Sequence, residues 1–278
     1  MSARGRFLSV LVTIVVALAG FVTVGALPAA AAPSAVQYVA LGDSYAAGTA
    51  VGSFPTCPHD PDGYPAQLNS ENRIDLQPND NATCSGATAS EVADTQLSPL
   101  DRDTRLVTLT VGAANLELSR VLTTCTTGTP QACLQEIARA RGDMEELGIN
   151  LPLLYAEVAG AAPRARIVVT GYPHLFEPVN FLFTQINDAI DQLNSTIEQA
   201  VSVANDADVN IHYVDVVAEF AGHGIVTPIT DPSAFIHSLF LINGQPDPQA
   251  FHPTPAGYRA YADAISVALP GGWLKQLV

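Results

Sequence analysis

The alternation of short apolar segments with long helical patterns is the feature that most restricts the fold of this chain. Four β-rich segments are predicted as strands, at residues 36–41, 105–111, 166–170 and 210–214. Helical patterns follow at residues 131–159, 181–205 and 255–268. Strands and helices in this alternation are joined by right-handed crossovers and form a mostly parallel sheet. The sequence therefore predicts a three-layer α/β sandwich of flavodoxin-like layout, with helices on both faces.

The ends of the predicted strands indicate where a functional site lies. The first strand runs directly into Gly42-Asp43-Ser44, and the next two end at Gly112 and Gly171. Glycine allows sharp turns and close backbone approach. In an open parallel sheet, ligands bind in the crevice beyond the carboxyl ends of the strands. We expect the site at that edge.

The amino-terminal segment has the pattern of a secretion signal. Arg4 and Arg6 precede an apolar stretch from Phe7 to Leu27, and a run of alanines follows it. This order is typical of a signal peptide with an A-x-A cleavage site. We predict that residues 1–31 are removed and that residues 32–278 form one domain. An uncleaved membrane anchor is the alternative, because the stretch is long enough to span a bilayer.

Charge and cysteine content exclude some classes of partner. The formal net charge is −15, and a chain this acidic repels a phosphate backbone, so nucleic acid is not an expected partner. The chain has four cysteines, and an even number in an exported chain favours disulfides. The residues alone leave all three possible pairings open. Zinc is the rival interpretation, but no C-x-x-C pair or clustered histidine accompanies the cysteines. We expect no metal.

A serine and a histidine offer the chemistry of ester hydrolysis, which needs a nucleophile, a base and donors for the oxyanion. Ser44 directly follows the first strand, and His252 precedes the last helix. Taken alone, each has a plainer explanation. A serine after Gly-Asp often caps a helix, and His-Pro often marks a loop.

Together with their neighbours, these residues match a known set of motifs. Residues 41–48 (LGDSYAAG) resemble the first conserved block of the SGNH, or GDSL-like, hydrolase family. Residues 85–87 (SGA) resemble the second block, and residues 251–254 (FHPT) resemble the histidine end of the fifth. The resemblance extends over residues 38–268 in the family's order. It is nearest to the secreted, disulfide-bearing esterases and lipases of actinobacterial type.

The resemblance implies a role for each matched residue. Ser44 would be the nucleophile, and His252 would accept its proton and later protonate the leaving alcohol. The backbone N–H groups of Ser44 and Gly86 would be two donors of the oxyanion hole. No cofactor is implied. The implied disulfides are Cys57–Cys84 and Cys125–Cys133.

The third block departs from the family pattern Gly-x-Asn-Asp, in which the asparagine is the third oxyanion donor. When the family pattern is aligned to this segment without a gap, Ala114 falls at the donor position and Asn115 falls where the family has aspartate. Loss of one such donor costs about 2.7–4 kcal/mol of transition-state stabilisation. A local shift that brings Asn115 into the hole is the alternative.

The fifth block also departs from its pattern, Asp-x-x-His. Gln249 stands three residues before His252, and Asp247 stands five before it. Some family members orient the histidine with a backbone carbonyl two residues upstream, which here belongs to Ala250. We predict the Ala250 carbonyl, rather than Asp247, as the partner of His252.

The resulting prediction is a secreted, monomeric serine esterase or lipase with a weakened oxyanion hole. It would hydrolyse lipid or acylated-sugar esters through an acyl-enzyme. The alternative from another class is a degenerate member of the fold that binds a cell-envelope lipid or glycan without turnover. Association with the cell envelope is likewise the alternative to free secretion.

Overall fold

The computed structural model describes residues 35–48, 56–71, 74–226, 233–238, 241–242, 245–247 and 249–269. The predicted signal segment lies outside these residues. None of the described helices is both long enough and apolar enough to cross a membrane.

A parallel five-stranded sheet forms the centre of the domain. The strands are β1 (Val36–Gly42), β2 (Ile74–Asp75), β3 (Leu106–Thr110), β4 (Arg166–Thr170) and β5 (Ile211–Val214), in the order β2-β1-β3-β4-β5. The predicted parallel α/β sheet is confirmed. Strand β2 was not predicted, because two residues are too short to show a period. A separate antiparallel pair consists of β6 (Leu241–Ile242) and β7 (Gln245–Pro246).

Two groups of helices cover the sheet. Helix α5 (Pro130–Ala161) packs against α3 (Ala89–Thr95), α4 (Leu118–Thr127) and α6 (Phe181–Asp206). In the other group, α2 (Tyr64–Glu71) packs against α7 (Pro255–Ala268) and the short α1 (Ser44–Ala47). Every residue of β3 is buried, as expected for a parallel strand covered on both faces.

The three long helices occur where the sequence predicts them, because each combines an apolar face with a capping residue. Thr129, Asn180 and Thr254 accept hydrogen bonds from backbone N–H groups in the first turns of α5, α6 and α7. Proline at the first position of α5 and α7 has a backbone angle suited to helix entry. Helices α1 to α4 were not predicted, since an apolar period is hard to recognise over ten residues or fewer.

Gly42 ends β1 and turns the chain toward the site. Its φ angle is +129°, and a Cβ atom there would lie 2.2 Å from the carbonyl oxygen of Thr110 on β3. Glycine is therefore required by both the conformation and the close approach. The buried side-chain amide of Gln96 accepts a hydrogen bond from the N–H of Gly42 at 2.7 Å and donates one to the carbonyl of Gly42 at 2.9 Å.

Two disulfides join segments of the domain. Cys57 is bonded to Cys84, and Cys125 is bonded to Cys133. The first joins the loop before α2 to the loop that carries Gly86, and the second joins the end of α4 to the start of α5. These are the pairs that the resemblance implies.

Candidate active site

The hydroxyl of Ser44 and the imidazole of His252 meet at the carboxyl edge of the sheet. Ser44 is the first residue of α1, directly after β1, and His252 lies in the loop before α7. The distance between Ser44 Oγ and His252 Nε2 is 2.8 Å. This is within the range of a nucleophile that transfers its proton to a base.

The other ring nitrogen of His252 contacts the backbone rather than an acid. Nδ1 lies 3.0 Å from the carbonyl oxygen of Ala250. Because a carbonyl only accepts, Nδ1 carries the proton and Nε2 is free to accept from Ser44. The carboxylate of Asp247 instead accepts the backbone N–H of Gln249 at 2.9 Å. The geometry thus provides Ala250, and not Asp247, as the partner that orients the ring.

The loop around His252 is held by backbone hydrogen bonds to a neighbouring segment. Phe251 N–H donates to the His237 carbonyl at 2.8 Å, and His237 N–H donates to the His252 carbonyl at 2.8 Å. Phe251 has a φ angle of +65°, which is uncommon for a residue with a side chain. Such a conformation persists where surrounding contacts maintain it, and it occurs often at functional sites.

Burial keeps His252 in its neutral form. Loss of hydration disfavours the imidazolium and lowers the pKa of His252 to about 4, although the Ala250 carbonyl opposes part of this shift. At neutral pH the imidazole is therefore unprotonated at Nε2. That is the form a base requires.

Asp43 directly precedes Ser44, and its side-chain hydrogen bonds are to Tyr45 and Tyr172 rather than to His252. Its side chain caps α1 by accepting Tyr45 N–H at 2.9 Å, and it accepts the hydroxyl of Tyr172 at 2.5 Å. Burial raises the pKa of Asp43 to about 7, and these two hydrogen bonds reduce the rise. Asp43 is 1% exposed, and its hydrogen bonds to Tyr45 and Tyr172 hold the turn that presents Ser44.

Two backbone N–H groups are available for an oxyanion. As the first residue of α1, Ser44 has an N–H with no partner inside the helix. Gly86 occupies a tight turn closed by the hydrogen bond from Ala87 N–H to the Cys84 carbonyl, with a φ angle of +80°. Ser44 and Gly86 line the same pocket as His252.

The third donor position is occupied by a methyl group. Ala114 lines the pocket. The side-chain oxygen of Asn115 accepts Ala89 N–H at 2.9 Å, at the start of α3. The alternative in which Asn115 turns into the hole therefore does not occur in this structure. Asn115 joins α3 to the loop after β3 instead.

The pocket has a volume of about 490 Å³ and a mixed lining. Helix α4 forms one wall with the apolar side chains of Leu118 and Leu122. Glu117, Ser119 and Thr123 add polar groups to the same wall. Among the residues that the structure describes, no cluster of three or more histidine, cysteine or acidic side chains could hold a metal ion.

The sheet, the Ser44–His252 pair and the two backbone donors are features of a serine-type carboxylic ester hydrolase. The model of the GDSL-like lipase/acylhydrolase family matches residues 40–260, and the chain belongs to this family. The family match and the similarity to lipases show that the protein is a carboxylic ester hydrolase. The non-catalytic alternative is not favoured.

Several proteins similar to this chain come from Streptomyces. A lipase of Streptomyces rimosus is 33% identical over 243 residues, which are 84% of this chain and 87% of the relative. The crystal structure of the extracellular lipase from Streptomyces rimosus matches with a TM-score of 0.73 at 29% identity, covering 84% of this chain and 100% of that chain. Phospholipase A1 from Streptomyces albidoflavus NA297 matches with a TM-score of 0.70 at 32% identity, covering 84% and 99%.

The sequence alone did not predict that Asp43, Tyr172 and Gln96 hold the turn that carries Ser44. Asp43 and Tyr172 directly follow a glycine at the ends of β1 and β4, which was the available signal. Gln96 carried no signal, since a glutamine at the end of a helix is ordinarily exposed.

Proposed function

We propose that Ser44 and His252 form a catalytic pair that hydrolyses lipid esters through an acyl-enzyme. His252 Nε2 accepts the Ser44 proton as Oγ attacks the carbonyl carbon, and the imidazolium then protonates the leaving alcohol. Water, deprotonated by the same nitrogen, attacks the acyl-enzyme, releases the acid and restores Ser44. The 2.8 Å contact between Oγ and Nε2 is the observation that carries this proposal.

The Ala250 carbonyl would serve His252 throughout this cycle. By accepting Nδ1–H it maintains the tautomer that leaves Nε2 basic. Ser44 N–H and Gly86 N–H would stabilise the tetrahedral oxyanion, with no side-chain donor at Ala114. This weakened oxyanion hole predicts slow turnover and a preference for esters with good leaving groups.

The substrate class is inferred from the pocket and from the relatives. An ester of a fatty acid would place its acyl chain along the apolar side chains of Leu118 and Leu122 on α4. The similar proteins are described as lipases and as a phospholipase A1. Lipid esters are therefore proposed ahead of acylated sugars.

We also propose that the protein works outside the cell, as a monomer released after cleavage behind Ala31. Both disulfides need an oxidising compartment to form and persist. A similar structure is that of an extracellular lipase. Retention at the cell envelope is the alternative, and sequencing of the amino terminus of the exported protein distinguishes the two.

The catalytic assignment is tested with a fluorophosphonate probe and a p-nitrophenyl ester series on the protein beginning at residue 32. Ser44→Ala should lose labelling and hydrolysis while its melting temperature stays close to that of the wild type. Ser119→Ala is the matched control, since Ser119 also lines the pocket, on α4. Labelling that persists in Ser44→Ala would remove Ser44 from this role.

A further inference from the structure

The hydroxyl of Tyr45 joins the nucleophile to the histidine loop. Tyr45 directly follows Ser44, and its side chain is 4% exposed. The hydroxyl donates to the carbonyl oxygen of Phe251 at 2.5 Å, across 206 positions of sequence. Phe251 precedes His252 and has the uncommon φ angle of +65°. The contact therefore links the residue after the nucleophile with the residue before the base.

The hydroxyl of Tyr172 joins the nucleophile turn to the segment at the empty donor position. It donates to the Asp43 carboxylate at 2.5 Å and accepts Ala113 N–H at 3.1 Å. Asp43 precedes Ser44, and Ala113 precedes Ala114. This single hydroxyl thus connects the turn that carries Ser44 with the segment that places Ala114 in the pocket.

The two tyrosines form one unit through their rings. The ring centroids of Tyr45 and Tyr172 are 5.1 Å apart in an edge-to-face arrangement, and the Tyr45 ring centroid is 5.2 Å from that of His252. Both tyrosines are buried. A buried hydrogen bond at fixed ends of two segments constrains their relative position more strongly than apolar contact, because it is directional.

We propose that the hydroxyls of Tyr45 and Tyr172 are positioning groups for ester hydrolysis. Tyr45 holds His252 within reach of Ser44, and Tyr172 holds the 113–114 segment against the nucleophile turn. The proposal rests on the catalytic roles of Ser44 and His252 given above. It adds that two hydroxyls which need not touch the substrate set the geometry of those roles.

A third buried tyrosine provides a matched control. The hydroxyl of Tyr155, on α5, is buried without a hydrogen-bond partner among the described residues, and Tyr155 is absent from the pocket lining. Tyr155→Phe removes a hydroxyl from an equally buried ring, but no hydrogen bond within the described part of the chain is lost with it. Tyr38→Phe is the control for a lost hydrogen bond, because the buried Tyr38 hydroxyl on β1 shares a bond of 2.6 Å with Thr108 and Tyr38 is absent from the pocket lining. Neither control should lower kcat.

The experiment measures kcat and KM of Tyr45→Phe, Tyr172→Phe and the controls Tyr155→Phe and Tyr38→Phe on p-nitrophenyl butyrate, with melting temperatures in parallel. We expect kcat to fall by about 10- to 100-fold in the first two variants, because a misplacement of about 1 Å costs roughly 100-fold. KM should stay within about 2-fold, and Tyr155→Phe should match the wild type. With 4-aminophenylalanine in place of Tyr45, an N–H donor is retained and part of the lost kcat should return.

Defined outcomes overturn the proposal. These are a kcat within about 2-fold of wild type in both site variants, an equal loss in Tyr155→Phe or Tyr38→Phe, or a change confined to KM. A phenylalanine variant that does not fold assigns its hydroxyl to stability and overturns the proposal for that residue, and the other tyrosine then decides the remaining half. Ser44→Ala, assayed alongside, keeps the two proposals apart. If it retains activity the catalytic assignment fails, whereas an inactive Ser44→Ala beside fully active tyrosine variants removes only the positioning role.

Discussion

The carbonyl oxygen of Ala250 accepts a hydrogen bond from Nδ1 of His252 at 3.0 Å, in the place that the pattern Asp-x-x-His would give to a carboxylate. A carbonyl fixes the tautomer of the ring as a carboxylate does, but it carries only a partial charge. It therefore orients the base while stabilising the imidazolium less.

Asp247→Asn should leave kcat/KM within about 3-fold of wild type, because Asp247 accepts from Gln249 and not from His252. The amide oxygen of asparagine can accept the same backbone N–H. Steady-state kinetics on a p-nitrophenyl ester check this. A loss approaching ten-thousandfold, the size seen when a catalytic histidine loses its orienting acid, would show that Asp247 is the partner after all.

The acid limb of the pH–rate profile should lie well below the ordinary histidine value. Burial lowers the pKa of His252 to about 4, so the base stays unprotonated until the pH falls toward that value. The same shift affects folding. The free energy of unfolding is highest above about pH 6.5, the pKa of histidine in the unfolded chain. It decreases as the pH falls toward 4, because the unfolded chain then binds a proton that the folded site does not. Profiles of kcat/KM measured between pH 4 and 8 check the first point, and an acid limb near 6.5 would contradict it.

Ala114→Asn should raise kcat/KM by restoring the missing oxyanion donor. The gain is limited to about 100- to 1,000-fold, which is what such a donor supplies. Asn115→Ala is the matched control, since its side chain bonds to Ala89 at the start of α3. It should cost about 1 kcal/mol of stability and little activity. If Asn115→Ala abolishes hydrolysis and Ala114→Asn changes nothing, the ungapped register is wrong.

Removal of the Cys57–Cys84 disulfide and removal of the Cys125–Cys133 disulfide should affect activity differently. Replacing both Cys57 and Cys84 by serine should lower the free energy of unfolding by at most about 3.6 kcal/mol, and the Cys125/Cys133 pair by at most about 2.6 kcal/mol, from the loop lengths. Replacing Cys57 and Cys84 should also reduce kcat, because their disulfide holds the loop that carries Gly86. Denaturant unfolding and kinetics on both double variants check this. An equal loss of kcat in both would contradict a specific role for Cys57–Cys84.

Local pattern was enough to predict the frame of the molecule. The strands β1, β3, β4 and β5 are β-rich, mostly apolar runs and the long helices repeat an apolar face over many residues, so both are recognisable, and the predicted bounds of α5, α6 and α7 agree with the structure to within two residues at each end. Short elements such as β2 and α1 to α4 were not recognisable, because their residues adopt regular structure through packing rather than through period. The match at residues 41–48 and 251–254 also predicted which serine and which histidine would meet.

Only the tertiary structure decided how the site is completed. In the sequence, Asp247 and Ala250 were both available to His252, and Ala114 and Asn115 were both available to the oxyanion. The choice depends on where a backbone carbonyl and a side chain point after folding, and neither direction is encoded in residue type. Likewise, the hydrogen bonds of Tyr45 to Phe251 and of Tyr172 to Asp43 join residues 206 and 129 positions apart. Such contacts arise from the packing of the whole sheet, so local sequence identified the serine and the histidine that meet, while long-range packing determined which groups contact them.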